Sequence, residues 1–284
     1  MPHIMEMFGK TKVVVKDGKV VEVGKDSLIK RCPVWIKKQG IEEINPEEAK
    51  KDMELRIKDF GMFTPQRQLD LDVFVSFGAS EVMMTGLRRG LLDTTVTVCE
   101  GAGTVITNNP KLVQGMGARM SGLIETEPIP EIMKKIEENG GIVLNPENAI
   151  IDQIKGLQRS AELGYKNIAV TVTDVETAKK IRELSKKLGV NAILIGAHLT
   201  GISREDAKVF LSLVDITTGC ASKHIRDLVK PLVQVGTAVP LFAITQKGKE
   251  LLIERAKEIT SPILINTMKL PVLPEHKQPS PLVE

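Results

Sequence analysis

Reactive side chains of this sequence follow β-rich runs. The stretch VTVCEGAGTVITNNP, at residues 96–110, places the thiol of Cys99 and the carboxylate of Glu100 directly before a glycine-rich turn. Further along the chain, His198 follows AILIGA and Cys220 follows VDITTG. Ligands of open parallel sheets gather outside the carboxyl ends of the strands. The sequence therefore predicts that these side chains line one rim of a sheet as catalytic candidates.

A nucleophilic thiol is one interpretation of Cys99 and Cys220. In this interpretation His198 or His224 acts as the base, and Glu100 orients that base. A thiol in the first turn of a helix, the position expected for Cys220, is more readily ionised because of the helix dipole. Inert packing is the alternative, since a lone cysteine of an intracellular protein usually behaves as a small buried hydrophobe. The spacing along the chain leaves both interpretations open.

A metal site is a further interpretation of the same residues. Cys220 and His224 are four residues apart, a spacing that places both side chains on one face of a helix. His198 from a neighbouring strand would complete a zinc or iron site with them. Alternatively, Cys32, Cys99 and Cys220 are predicted as ligands of an iron–sulfur cluster that leaves one iron open to substrate. Cysteine thiolates are the usual cluster ligands, although the local C-x₂-C spacing is absent.

The glycine-rich turn predicts a loop that contacts a ligand. Its glycines permit positive φ and close approach, and a helix start near Pro110 leaves amides that favour an anion. A phosphate, a carboxylate, or the nucleoside of a nucleotide or S-adenosylmethionine would fit such a loop. The third glycine of a G-x-G-x-x-G fingerprint is replaced by Ile106, so a turn without a ligand is the alternative. The predicted cofactor-binding residues are Gly101, Gly103, Thr104, Asn108, Thr217 and Thr218.

Strand and helix patterns alternate from about residue 72 onward. Apolar runs rich in Val, Ile and Thr are typical of strands buried on both faces, and the amphipathic segments between them suit crossover helices. Residues 61–271 are therefore predicted to form an α/β core with a mainly parallel, doubly wound sheet flanked by helices. A (β/α)₈-like barrel is the alternative, but the repeating units are shorter than the ~30 residues typical of that fold. The predicted strands are DVFVSF, TVTVC, GIVLN, NIAVTVTD, NAILIGAH, VDITTG, AVPLFAIT and PILINT.

The two ends of the chain differ from this core. Residues 1–60 predict a small α+β module, with a hairpin that turns at Asp17-Gly18 and a helix that begins after Asn45 and ends at Gly61. Residues 272–284 predict an extended, weakly ordered, proline-rich tail.

Composition excludes several classes of partner. The chain is 42% hydrophobic and 26% charged, with a net charge of only +3, which indicates a folded protein without the basic excess of a polyanion binder. Aromatic residues make up 3%, too few for base-stacking platforms, so no nucleic-acid partner is expected. No run approaches the ~20 apolar residues of a membrane span, and no secretory signal is evident. We therefore expect a cytoplasmic protein with reduced thiols and no membrane partner.

Several longer segments resemble a known family. They are MEMFGKTKVVVKDGKVVEVG, RCPVW, VCEGAGTVITNNPKLVQGMGARMSGLIETEPI, NAIIDQIKGLQRSAELGYKNIAVTV and DITTGCASK. Together they are similar to the methanogenesis marker protein 8 family of methanogenic archaea. The resemblance implies a strictly anaerobic setting, but it assigns no catalytic residue.

The sequence and the resemblance together give three hypotheses of function. The first is an enzyme or maturation factor of methanogenesis that binds a small anionic metabolite or cofactor at the carboxyl rim of the sheet. The second is a non-catalytic scaffold in a methanogenesis enzyme complex. The third is a nucleotide- or S-adenosylmethionine-binding protein.

Overall fold

A small antiparallel sheet forms at the amino-terminal end. The structure is a computed structural model that describes residues 2–71 and 73–284. Strands β1 (His3–Glu6), β2 (Lys12–Lys16), β3 (Lys19–Val23) and β6 (Gly122–Glu125) are arranged in the order β3-β2-β1-β6. The predicted hairpin is confirmed, because Asp17 and Gly18 turn with φ of 51° and 67°. Strand β6 belongs to the segment 61–271, so the predicted core contributes one strand to the small sheet.

A large open sheet contains the other strands. They are β4 (Thr94–Cys99), β5 (Gly103–Thr107), β7 (Ile142–Val143), β8 (Asn167–Val172), β9 (Asn191–Gly196), β10 (Ile216–Thr218), β11 (Val233–Val235) and β12 (Leu241–Ala243). Their order is β11-β12-β10-β9-β8-β4-β5-β7, and the central strands β10, β9, β8 and β4 are parallel. The sheet ends at β11 on one side and β7 on the other, so the predicted α/β class is confirmed and the barrel alternative is wrong.

Helices cover both faces of this sheet. They are α1 (Pro33–Gln39), α2 (Pro46–Phe60), α3 (Ala79–Arg88), α4 (Pro110–Gly117), α5 (Pro130–Glu138), α6 (Gln153–Glu162), α7 (Val175–Leu188), α8 (Arg204–Leu213), α9 (Lys223–Leu228) and α10 (Gln246–Lys257). Helix α2 has the predicted ends: the Asn45 side chain accepts a hydrogen bond from the Glu48 amide, and Gly61 is left-handed.

Alternate residues of each central strand face opposite hydrophobic clusters. In β8, Ile168 packs in one cluster with Leu157 of α6 and helix α7, whereas Ala169 packs in another with Met83 of α3 and Leu252 of α10. Side chains of a strand alternate between the two faces of a sheet. Helices on both faces therefore make the sheet doubly wound, as predicted.

Two predicted strands are wrong. In DVFVSF, Asp72 lies outside the described residues, and residues 73–77 form bends and coil. The amides of Phe74 and Val75 donate to Glu81 Oε1 at 3.2 and 3.3 Å, which replaces a strand ladder with a loop. The segment PILINT is coil, and its Leu264 and Ile265 side chains are 90% and 81% exposed. High β-propensity does not form a strand where no neighbouring strand pairs with it.

The glycine-rich turn leads into a strand rather than a helix. Strand β5 pairs antiparallel with β4, with Cys99 opposite Gly103 and Thr95 opposite Thr107. The turn is thus a β-hairpin at the carboxyl end of β4. Because β5 runs back across the sheet, α4 begins at the opposite edge, away from the turn.

The proline-rich tail is paired with two distant segments. Ser280 forms a β-bridge with Arg31, and Val283 forms one with Ser222. The Val283 amide also donates to the Ala221 carbonyl at 2.8 Å. These contacts hold residues 280–283 against both the amino-terminal module and the start of α9.

Candidate functional site

A cleft of about 1200 Å³ lies between the small sheet and the carboxyl edge of the central parallel strands. Ends of three parallel strands contribute to it: Thr97 from β4, Thr171 from β8, and His198 just after β9. The opposite wall includes residues of β1, β6 and α2. The position is that of a small-molecule site of an open α/β sheet, and the volume is somewhat larger than the ~300–1,000 Å³ typical of ligand pockets.

His198 connects the two walls of the cleft. It follows β9 with a φ of 59°, a conformation that is uncommon for residues other than glycine. Its Nε2 lies 2.6 Å from Glu6 Oε2 in β1. The imidazole also lies against Gly122 of β6, where a Cβ would come within 2.3 Å of Nε2. Glycine at this position therefore makes room for the ring.

Glu6 is the carboxylate partner of that imidazole. The hydrogen bond to His198 holds the pKa of Glu6 below its usual value, and Lys10, with Nζ 3.8 Å from the same oxygen, acts in the same direction. A carboxylate that accepts from one imidazole nitrogen fixes the orientation of the ring and leaves the other nitrogen to exchange a proton. This pair can therefore perform general acid–base chemistry.

Arg119 supplies a cation in the cleft wall. Its guanidinium carbon lies 4.4 Å from the ring centroid of Phe60 and 3.8 Å from that of Phe74. Burial, together with the nearby charge of Arg56, lowers the pKa of Arg119. No carboxylate of the described residues forms an ion pair with Arg119, and its Nε is buried without a hydrogen-bond partner. The two rings hold the guanidinium between them, and its charge is available to an anion.

Arg56 holds the segment that carries Arg119. The Arg56 Nη1 donates to the Arg119 carbonyl at 2.5 Å and to Ser121 Oγ at 3.0 Å. Its Nη2 lies 2.8 Å from Asp52 Oδ2, one turn earlier in α2. Burial lowers the pKa of Arg56, and the Asp52 charge opposes that effect. Asp52 Oδ1 is buried without a hydrogen-bond partner among the described residues, so this wall of the cleft contains an unused acceptor.

A second cavity adjoins the cleft at His198. Its volume is about 380 Å³, and His198, Lys10, Thr173 and Asp174 line both spaces. Asp174 caps α7, with Oδ1 accepting from the Thr177 amide at 2.8 Å. The histidine thus lies where the two cavities meet, within reach of a ligand in either one.

Cys99 and Glu100 do not line the cleft. Cys99 is fully buried in an apolar cluster with Ala102 and Ile132, and this burial raises the pKa of its thiol well above the usual value. Glu100 Oε1 forms a buried ion pair with Arg67 Nε, and neither side chain has any exposed surface. The structure therefore places both predicted catalytic residues in the interior of the protein.

The amides of the glycine-rich turn already have partners. Gly101 N–H donates to Thr126 Oγ1 at 2.8 Å, and Thr104 N–H donates to the Ile150 carbonyl at 3.2 Å. Gly103 has a φ of 68°, and a Cβ there would lie 2.1 Å from the Ala149 carbonyl oxygen. Close backbone packing explains the glycines. Nucleotide or S-adenosylmethionine binding through this turn stays a prediction.

The remaining predicted cofactor-binding residues are dispersed. Asn108 is exposed beside Tyr165, at the edge of the sheet opposite the cleft. Thr217 is fully buried. Thr218 Oγ1 lies 3.0 Å from Cys220 Sγ, outside the lining of the cleft. Of the predicted site residues, His198 is the one that lines the cleft.

The predicted metal ligands do not form one site. Cys32 packs in the core of the amino-terminal module, whereas Cys99 belongs to the apolar cluster of α4 and α5. Residues 2–71 and 73–284 contain no group of three or more His, Cys, Asp or Glu side chains placed to hold a metal ion. The three cysteines, as they are arranged here, do not fit a shared iron–sulfur cluster. Binding of such a cluster stays a prediction from the sequence. Anaerobic reconstitution with iron and sulfide, followed by absorbance spectroscopy, tests it.

Sequence reasoning missed Glu6, Arg56 and Arg119. Glu6 lies in the first strand of the amino-terminal module and meets His198 across 192 residues. The segment KDMELR does place Asp52 and Arg56 four residues apart on one helix, a spacing that favours an ion pair. That local signal could have identified this pair, but no local pattern indicates Arg119.

Within the described part of the chain, no helix is long and apolar enough to cross a membrane. The fold and the cleft define an open-sheet α/β protein whose carboxyl edge is covered by a small antiparallel sheet. The chain belongs to the family described as "Uncharacterized protein conserved in archaea (DUF2099)", which matches residues 3–257. It is 47% identical to an uncharacterized protein of Methanocaldococcus jannaschii over 286 aligned positions, 99% of each chain.

One solved structure has a weak likeness to this fold. It is a chain of a xenon-derivatized NiFe hydrogenase complex from Methanosarcina barkeri, with 14% identity and a TM-score of 0.37. The match covers 63% of this chain and 72% of that one. A likeness at this level carries no argument about function.

Proposed function

We propose that the cleft binds a small anionic metabolite or cofactor and that Arg119 binds its anionic group. One observation carries this proposal: Arg119 is held between two phenylalanine rings at the cleft, with no carboxylate partner among the described residues. A guanidinium matches the geometry of a carboxylate or a phosphate through paired N–H donors. Arg56 supports this role because it fixes the backbone at Arg119.

The proposal extends to an enzymatic role for His198. The His198 imidazole is oriented by Glu6 and lies where two cavities meet. The backbone of His198 is in the left-handed conformation. Backbone strain of this kind is concentrated at functional sites. In this role the histidine transfers a proton to or from the bound compound, and the Glu6 carboxylate stabilises the protonated ring.

The biological setting we propose is methanogenesis in the archaeal cytoplasm, as an enzyme or a maturation factor. Two observations support it: the resemblance of segments such as CEGAGTVIT and TTGCASK to the methanogenesis marker protein 8 family, and the relative in Methanocaldococcus jannaschii. Neither observation identifies the compound that is bound.

Ligand capture tests the role of Arg119. The purified protein is incubated anaerobically with the small-molecule fraction of a methanogen extract, washed and denatured, and the released compounds are identified by mass spectrometry. We expect wild type and the control Arg159→Gln to retain the same anionic compound, and Arg119→Gln to lose it. Arg159 is a suitable control because it lies on α6, outside the cleft. Equal retention by Arg119→Gln, or no compound retained by wild type, would contradict the proposal.

The same extract tests the role of His198. If His198 transfers a proton, wild type converts the retained compound to a product, whereas His198→Asn binds it without converting it. Unchanged conversion by His198→Asn would show that another group catalyses the reaction, and no conversion by wild type would leave the protein as a binding protein.

A scaffold role in a methanogenesis enzyme complex is the second candidate. The exposed apolar segment at residues 263–268 favours it, because Leu264 and Ile265 are 90% and 81% exposed. Such segments often mark protein–protein contacts. Affinity purification from a methanogen should yield a stoichiometric enzyme subunit with wild type and none with Leu264→Asp. Recovery of the same subunit with both proteins would contradict contact through this segment.

A further inference from the structure

A second cluster of reactive groups surrounds the buried guanidinium of Arg226. Arg226 lies on α9 and is only 3% exposed. Its Nη2 donates to the carbonyls of Cys220 and Ala238, whereas Nε and Nη1 are buried without a hydrogen-bond partner. No carboxylate of the described residues forms an ion pair with it. Burying a cation without a counter-ion is costly, so this position calls for an anion.

Two cysteines lie near Arg226, and its Nη2 donates to the backbone carbonyl of one of them, Cys220. Burial lowers the pKa of Arg226 to about 10, while Cys220 and Cys32 act in the opposite direction. The thiols come from distant segments that the tail brings together. Residue 31 pairs with Ser280, and residue 222 pairs with Val283, so each cysteine lies within two residues of a contact with the same four-residue stretch. Cys32 also packs in one cluster with Ala221.

Cys220 has the features of the more reactive thiol. It is partly exposed, whereas Cys32 is buried. Its φ is 40°, a left-handed conformation that is unfavourable for a residue with a side chain. Thr218 Oγ1 lies 3.0 Å from its sulfur.

We propose that Cys220 and Cys32 are the nucleophilic and resolving thiols of a thiol–disulfide exchange site whose substrate is a low-molecular-weight disulfide. The Cys220 thiolate attacks one sulfur of the substrate R–S–S–R, forms a mixed disulfide, and releases RS⁻. Cys32 then gives its proton to that thiolate, attacks the Cys220 sulfur, and releases the second RS⁻. The substrate disulfide gains two electrons, and the protein is left with a Cys32–Cys220 disulfide.

Arg226 is the positioning residue of this site. Its Nη2 donates to the Cys220 carbonyl and so positions the residue that carries the attacking sulfur. Its positive charge also repels a metal cation, which favours disulfide exchange over metal binding at this pair. The site is separate from the cleft, since neither cysteine nor Arg226 lines it, and the proposal stands independently of the ligand bound there.

Anaerobic reaction of the reduced full-length protein with oxidised glutathione tests the proposal. Products are trapped by acid and located by peptide mass spectrometry. We expect wild type to form the Cys32–Cys220 disulfide, Cys32→Ser to accumulate a mixed disulfide on Cys220, and Cys220→Ser to form neither. Cys99, which is fully buried, is the internal control and should stay reduced. Absence of the Cys32–Cys220 bond in wild type would overturn the assignment.

The rate of Cys220 alkylation by iodoacetamide tests the role of Arg226. At pH 7 we expect Arg226→Gln to react about tenfold more slowly than wild type and Arg226→Lys to retain most of the rate, because the proposed role requires a positive charge at this position. Equal rates for Arg226→Gln and wild type would overturn the role of Arg226.

Discussion

Removing the charge of Glu100 is expected to destabilise the protein rather than to inactivate a catalytic site. Glu100 and Arg67 form an ion pair with no exposed side-chain surface. Arg67 Nη2 also donates to the carbonyls of Gly115 and Met116 at 3.1 and 3.3 Å. The guanidinium thus links the loop at residues 67–68 to α4, and the carboxylate of Glu100 neutralises it.

The size of the effect follows from burial. In Glu100→Gln the guanidinium stays in the interior with no counter-charge, and breaking a buried pair in this way costs about 3–5 kcal/mol. That is a large part of the ~5–15 kcal/mol by which domains are stable. Arg67→Met leaves the carboxylate uncompensated and should cost a similar amount. The double variant Arg67→Met/Glu100→Leu removes both charges, so we expect it to be more stable than either single variant.

Urea unfolding monitored by circular dichroism measures these differences. A matched control is Glu176→Gln, which breaks the exposed pair between Glu176 and Lys180 on α7 and should leave the midpoint unchanged. A loss below about 1 kcal/mol in both single variants would refute the structural role of the pair. A double variant whose loss equals the sum of the two single losses would refute the coupling between them.

Three further predictions concern the cleft, the small sheet and the buried thiol. Gly122→Ala should displace His198 and abolish conversion of the retained compound, because its Cβ would lie 2.3 Å from Nε2; Gly24→Ala, where the nearest atoms are 3.4 Å away, is the control. Burial lowers the pKa of His3, so the unfolded chain binds its proton more readily and the free energy of unfolding should fall as pH drops below about 6.5. In His3→Asn this decrease should be smaller when urea unfolding is repeated from pH 7 to pH 5. Cys99→Ala should reduce stability by about 1 kcal/mol without changing ligand retention, since the thiol packs only in the interior.

Each of these outcomes has a contrary result. Conversion by Gly122→Ala equal to that by Gly24→Ala would show that the position of His198 does not matter for catalysis. A pH dependence of His3→Asn identical to that of wild type would assign the titration to other groups. Loss of ligand from a folded Cys99→Ala variant would show that the thiol acts on the cleft from the interior.

Local sequence signals predicted the elements that depend on neighbouring residues. The turn at Asp17-Gly18, and the helix between Asn45 and Gly61, are confirmed because turn and capping chemistry involve residues only a few positions apart. The central strands are confirmed because burial on both faces leaves a continuous apolar run. In contrast, PILINT has the composition of a strand but no strand to pair with.

The candidate site was only partly predictable. His198 was found from its place after a buried run, and it lies in the cleft. The same rule failed for Cys99, because a hairpin and helix α5 cover the end of β4 and seal the thiol in an apolar cluster. Arg119 and Glu6 have no local signal, since their importance comes from Phe60, Phe74 and His198, which approach them only in the folded chain.

The sequence by itself determined the α/β class, the parallel direction of the central strands, and the position of His198 at their carboxyl edge. These follow from side-chain periodicity and from the crossover helices, which are encoded in short stretches of chain. Tertiary structure alone decided which reactive groups face solvent and which are neutralised in the interior. Exposure and charge pairing depend on segments far apart along the chain, such as those of Glu6 and His198, and no spacing in the sequence records those contacts.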